Sequence, residues 1–97
     1  MYVIDLTAEA RDDLRALRKA DQVTVVIAIE DQLSHEPTRE TRNRKKLRTN
    51  LIADWELRVG QFRVFYNVDE NAETVSIEAI GFKVGNVLFI RNERREL

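Results

Sequence analysis

Arg58 and Arg63 flank Gly60 in the stretch WELRVGQFRVFY, residues 55–66. Two alternating apolar–polar runs meeting at a glycine read as a β-hairpin. A hairpin needs no positive charge beside its turn, and like charges facing each other across paired strands lower stability. Arginine's planar fork matches a phosphate, so an anion held between the two side chains would account for the pair. The plainer alternative is that both are solvated, or paired with Asp54 and Glu56. On the phosphate reading, removing Arg63 should barely change stability, or even raise it, because like charges are relieved.

Glu56 lies two residues from Arg58 on the same strand face. A carboxylate among cations stays ionised, so it could accept a proton or merely neutralise its neighbours. Lys83, between Gly81 and Gly85, reads either as a turn lysine or as a cation leaning back toward the two arginines. A basic run follows the only proline: Arg39, Arg42, Arg44, Lys45, Lys46 and Arg48, opposed only by Glu40. Such a run is either a solvated loop or a contact for a phosphate backbone, independent of base sequence and sensitive to salt. The single histidine, His35, reads as a helix-end cap. Alternation puts Trp55, Phe62 and Tyr66 on the core side, which favours packing over base stacking.

The chain has 97 residues and a net charge of −1, enough for one small domain, taken as residues 1–97. The charge is uneven. Residues 1–37 carry four basic and eight acidic side chains, residues 38–63 eight and three, residues 64–97 four and six. The middle third is a basic island that would attract polyanions locally. With no cysteine and one histidine, disulfides and thiolate or histidine metal sites are not expected, and no cofactor is implied. Val23–Ile29 is too short to span a bilayer, and Tyr2–Leu6 reads as a strand rather than a leader, so a cytoplasmic protein with no membrane partner is expected.

These residues need a scaffold. Tyr2–Leu6 reads as a first strand, and Thr7 as the N-cap of a helix of about three turns with Ala10, Leu14 and Leu17 inward. Arg11, Asp12, Asp13, Arg15 and Arg18 then face solvent. Gln22–Ser34 is rich in β-branched residues, yet its length and the spacing of Val23, Val26, Ile27, Glu30 and Leu33 predict a second helix, ending before Pro37. The break between the helices is expected around Asp21. Residues 38–50 read as a loop or frayed edge. Three strands follow, at Ala53–Val59, Phe62–Val68 and Thr74–Phe82, and Gly85–Leu97 is expected to end in a short charged helix. The expected fold is α+β: an N-terminal strand and a helical hairpin packed on one face of a twisted antiparallel sheet, with the other face partly open.

The sequence resembles the RelE/ParE superfamily of toxins from bacterial type II toxin–antitoxin modules. The likeness is carried by LTAEARDDLRALRK after the first strand, KKLR before the second, WELRVGQFRVFY, and IGFKVGN followed by LFI. It implies a helical hairpin on a twisted antiparallel sheet and a cognate antitoxin as partner. RelE-like members bind messenger RNA on the ribosome and cleave it through attack of the RNA's own 2′-hydroxyl on the adjacent phosphate. Under that resemblance Arg63 and Arg58 would hold the scissile phosphate, Lys83 would assist, and Glu56 would be the base. Arg44, Lys45, Lys46 and Arg48 would contact nucleic acid.

Three features depart from the RNA-cleaving pattern. Phe89 stands where many members carry a tyrosine or histidine, the chain is slightly acidic, and Glu56 reduces the positive charge of the site. ParE-like members instead poison DNA gyrase without cleaving nucleic acid. A degenerate toxin that only binds its antitoxin is the third alternative. The nuclease is the leading expectation because the arginines are retained.

Overall fold

The structure, a computed structural model, describes residues 1–97. Strand β1 (Val3–Leu6) leads into helix α1 (Ala8–Arg15), with Thr7 at the boundary. Thr7 is extended, and its hydroxyl accepts a hydrogen bond from the Ala10 N–H at 3.0 Å. With Glu9 in the first turn, both local signals for a helix start are satisfied. The helix stops after about two turns. The break falls at residues 16–18 rather than around Asp21, and the Gln22 amide steadies it by donating to the Leu17 carbonyl at 2.8 Å.

Helix α2 (Lys19–Leu33) forms despite its β-branched content, because packing on the sheet outweighs local propensity. Val25, Ile29 and Leu33, four residues apart, are its buried side chains. Ile27 is 53% exposed and Val23 58%, so the inward face is rotated from the one the spacing suggested. Ser34 caps the helix, and His35 is simply exposed.

Six more strands complete the sheet: β2 (Arg44–Lys46), β3 (Trp55–Val59), β4 (Phe62–Asp69), β5 (Thr74–Val84), β6 (Val87–Ile90) and β7 (Glu93–Arg95). They pair antiparallel in chain order, and β1 joins β5 in parallel. The basic segment therefore contains a short edge strand, and Lys83 lies within β5 rather than after it. The C-terminal segment is a β-hairpin, not a helix. Its turn uses Arg91 and Asn92, both at positive φ, and β6 is drawn into strand form by the free edge of β5.

That edge of β5 is covered by β1 from Thr74 to Ile77 and by β6 from Phe82 to Val84. The backbone groups between them still need partners. Thr7 Oγ1 donates to the Glu78 carbonyl at 3.3 Å, and the Ile80 N–H donates to Asp13 Oδ2 at 3.0 Å. Asp13 is accordingly buried, not on a solvent face, and Arg91 Nε meets its other oxygen at 3.0 Å. Burial pushes the Asp13 carboxyl above its ordinary value, opposed by the Ile80 N–H and by Arg91, while Asp12 adds to the rise.

The helices cover one face of the sheet. Trp55, Leu57, Val64, Tyr66, Val75 and Ile77 form the core there with Ala10, Val25, Ile29 and Leu33. Trp55 stacks on Tyr66 with ring centroids 6.1 Å apart, and Tyr66 donates to the Pro37 carbonyl at 2.7 Å. The opposite face is only half open. Phe65, Ala79, Leu88, Ile90 and Ala53 form a second apolar cluster, against which Leu47, Ile52 and Leu97 pack. Gly81 lets β6 approach: a Cβ there would strike the Phe89 carbonyl and lie 2.9 Å from Ile90 Cγ1.

Candidate functional site

On the face away from the helices, a cavity of about 400 Å³ opens beside the second apolar cluster. Four cations line it: Lys45 from β2, Arg58 from β3, Lys83 from β5 and Arg95 from β7. Glu56, Asn86 and Glu96 supply its other polar groups, and Leu47, Leu88 and Leu97 its apolar part. Strand alternation accounts for the gathering. Lys45 pairs with Glu56, and Arg95 with Leu88, so each pair shares the cavity face.

Glu56 is the buried member, its side chain 9% exposed, with Arg58 Nε 3.9 Å from its Oε2. That spacing is an ion pair without a close hydrogen bond, so Arg58, half exposed, keeps its donors free for a ligand. No group of three or more His, Cys, Asp or Glu side chains comes together in the way a metal ion would require.

Arg63 behaves differently from its cross-strand partner Arg58. It is 9% exposed and absent from the cavity lining. Its Nη1 donates to the Gly60 and Phe62 carbonyls at 2.8 and 2.9 Å, tying the side chain to the turn. Its Nε is buried and unpartnered. Burial lowers the Arg63 pKa, Glu56 opposes that shift, and Arg58 adds to it. The guanidinium nonetheless stays charged, as arginine does in proteins.

The basic run is divided by β2. Lys45 faces the cavity, whereas Lys46 sits over the Trp55 ring, 5.4 Å from its centroid. Arg44 is half-buried, bonded through Nη1 to the Gln32 carbonyl at the end of α2 and through Nε to the Arg39 carbonyl at 3.0 Å. A cation there suits the negative end of the helix dipole. Arg48 is exposed in the loop after β2. Phe89 stacks on Phe82 with centroids 5.5 Å apart and lies beside Asp13 on the helix side, away from the cavity. Its lack of a proton donor therefore does not alter this cavity.

A family model described as the ParE toxin of the type II toxin–antitoxin system parDE matches residues 4–82. The chain belongs to the RelE/ParE superfamily of type II toxins. A chain of the RelBE2 toxin–antitoxin complex from Mycobacterium tuberculosis is 30% identical, with a TM-score of 0.69. The match covers 84% of this toxin and 98% of that chain. Among curated proteins, none matches the toxin. No helix of the toxin is long and apolar enough to cross a membrane.

Of the residues singled out in the sequence, the structure brings Glu56, Arg58, Lys83 and Lys45 to one cavity and leaves Arg63, Arg44, Lys46 and Arg48 outside its lining. Sequence reading missed Arg95, Asn86 and Glu96. The signal for Arg95 was alternation along β6 and β7, hidden by reading that segment as a helix.

Proposed function

We propose that this toxin is a RelE-like endoribonuclease acting on ribosome-bound messenger RNA. The observation that carries the reading is the buried Glu56 carboxylate surrounded by Arg58, Lys83 and Lys45 in one open cavity. Cleavage of RNA through its own 2′-hydroxyl asks little more of a protein than such a group. Glu56 takes the 2′-hydroxyl proton as the oxygen attacks the adjacent phosphorus. Arg58 and Lys83 offset the charge that grows on the non-bridging oxygens. The bond to the 5′-oxygen breaks, and that oxygen takes a proton from Lys83 or from water. The products are a cyclic phosphate and a free 5′-hydroxyl.

A cognate antitoxin is part of the same reading. The RelBE2 neighbour is a toxin–antitoxin complex, and an apolar groove between β1, α1 and α2 suits an amphipathic segment. Ile4, Leu6, Leu14, Val26 and Ile29 line that groove. Gyrase inhibition without cleavage is the second reading, favoured by the ParE description of the matching family model and by a cavity lined by no tyrosine or histidine. Purified ribosomes carrying a defined message, assayed beside gyrase supercoiling, separate the two. The nuclease reading expects cleavage at the ribosome and unaffected supercoiling. Intact message with blocked supercoiling overturns it.

A further inference from the structure

We infer that Arg95, carried by the C-terminal hairpin, is a phosphate-binding residue of this cavity, a role that Arg63 does not fill. This inference rests on the nucleic-acid reading of the site. Arg63 commits its Nη1 to the Gly60 and Phe62 carbonyls and is not among the residues that line the cavity. Arg95 does line it, together with Arg58 and Lys83. Its register partner Leu88 lines the same cavity, which fixes the face of β7 that Arg95 occupies. The Arg95 side chain is 30% exposed, and Glu93, its ion-pair partner, stands off at 4.0 Å. The fork is thus partly desolvated, has no carboxylate oxygen closer than 4.0 Å, and shares its cavity with three other cations against two carboxylates, Glu56 and Glu96. Like charges held together in that way favour an anion between them.

The hairpin is also held in place. Arg91, in the β6–β7 turn, reaches Asp13 of α1 at 3.0 Å and donates to the Glu78 carbonyl at 3.3 Å. Residues of two elements, α1 and β5, therefore fix the turn, and a short strand then carries Arg95 to the cavity lining. The family match ends at residue 82, before β6 begins, so Arg95 lies outside the shared pattern.

Arg94 provides an internal control. It pairs with Phe89 on the opposite face of the hairpin and is exposed. Arg94→Gln and Arg95→Gln change the net charge equally. The probe is a short single-stranded RNA with 2′-O-methyl groups, which cannot be cleaved, bound to the full chain and followed by fluorescence anisotropy across a salt series. Arg95→Gln should weaken binding about tenfold and lower the slope of log K against log salt by about 0.7, the loss of one phosphate contact on a single strand. Arg95→Lys should restore the slope and only part of the affinity. Arg94→Gln should leave both close to wild type, and all three variants should keep the wild-type melting temperature. Equal effects at Arg94 and Arg95, no effect at Arg95, or no RNA binding by the wild type each overturn the assignment. Ribosome cleavage is scored separately. Binding that depends on Arg95 without cleavage sinks the nuclease reading and leaves the assignment of Arg95 standing.

Discussion

Arg58 and Arg63 face each other directly across the β3–β4 hairpin, yet their guanidiniums have different tasks. Arg58 is half exposed and lines the cavity, while Arg63 is buried and bonded to the carbonyls of Gly60 and Phe62. Gly60 sits at φ 59°, a left-handed conformation that glycine adopts without strain. The turn it makes leaves carbonyls pointing at the side chain of Arg63. One arginine of the pair therefore holds the turn that presents the other.

That division reverses the expectation for stability at Arg63. Arg63→Ala should destabilise the fold by about 1–3 kcal/mol, the usual range for leaving buried polar groups without partners. Relief of the Arg58–Arg63 repulsion offsets only part of this. Urea denaturation of Arg63→Ala beside Arg58→Ala checks it: the midpoint should fall for the first and hold for the second. A midpoint for Arg63→Ala at or above wild type would mean that the turn holds itself.

Glu56→Gln tests the proposed base. The amide keeps the shape of the carboxylate but cannot take the 2′-hydroxyl proton. Cleavage should fall by on the order of a hundredfold or more, the range for losing a general base. Binding of the uncleavable RNA should hold or tighten, since a negative charge among the cavity cations is removed. Full cleavage by Glu56→Gln would leave the carboxylate as a charge neutraliser only.

Asp13 should leave a mark on the pH dependence of stability. Burial raises its folded pKa above the unfolded reference of 3.8. Between those two values the folded state binds more protons than the unfolded state, so stability falls as pH rises through that window. The contribution is fully present below the unfolded value and is lost once the folded carboxyl ionises. Asp13→Asn should flatten this part of a melting-temperature profile in the acid range. Arg91→Ala removes a neighbour that favours ionisation, so the Asp13 carboxyl should titrate at still higher pH by NMR. A wild-type Asp13 that titrates below 3.8 would show that Arg91 and the Ile80 N–H outweigh burial.

The basic run should separate into two behaviours when taken one residue at a time. Lys45→Ala should reduce the salt dependence of RNA binding, because Lys45 faces the cavity. Arg44→Ala should instead lower the melting temperature, since Arg44 bonds the Gln32 and Arg39 carbonyls. Lys46→Ala should cost little in binding and less than about 1 kcal/mol in stability, the scale of an exposed cation–aromatic contact. Identical losses of RNA affinity at all three would return the segment to a uniform basic surface.

Much of this toxin was legible in its sequence. The Thr7 cap, two helices, the β3–β4 hairpin about Gly60, and the inward Trp55, Phe62 and Tyr66 all follow from local rules of capping, turn chemistry and alternation. Local rules also put Glu56 and Arg58 on one strand face. What lay beyond them was set by pairings distant in the chain. The free edge of β5 made strands of residues 87–95, and only that register carries Arg95 to the cavity and Phe89 away from it. The gap left between β1 and β6 drew Asp13 inward to meet the Ile80 N–H. Alternation gives the face on which a side chain starts, but a long arginine can still fold back along that face. The carbonyls of Gly60 and Phe62 decided that Arg63 did so, and they come within its reach only once the strands are paired.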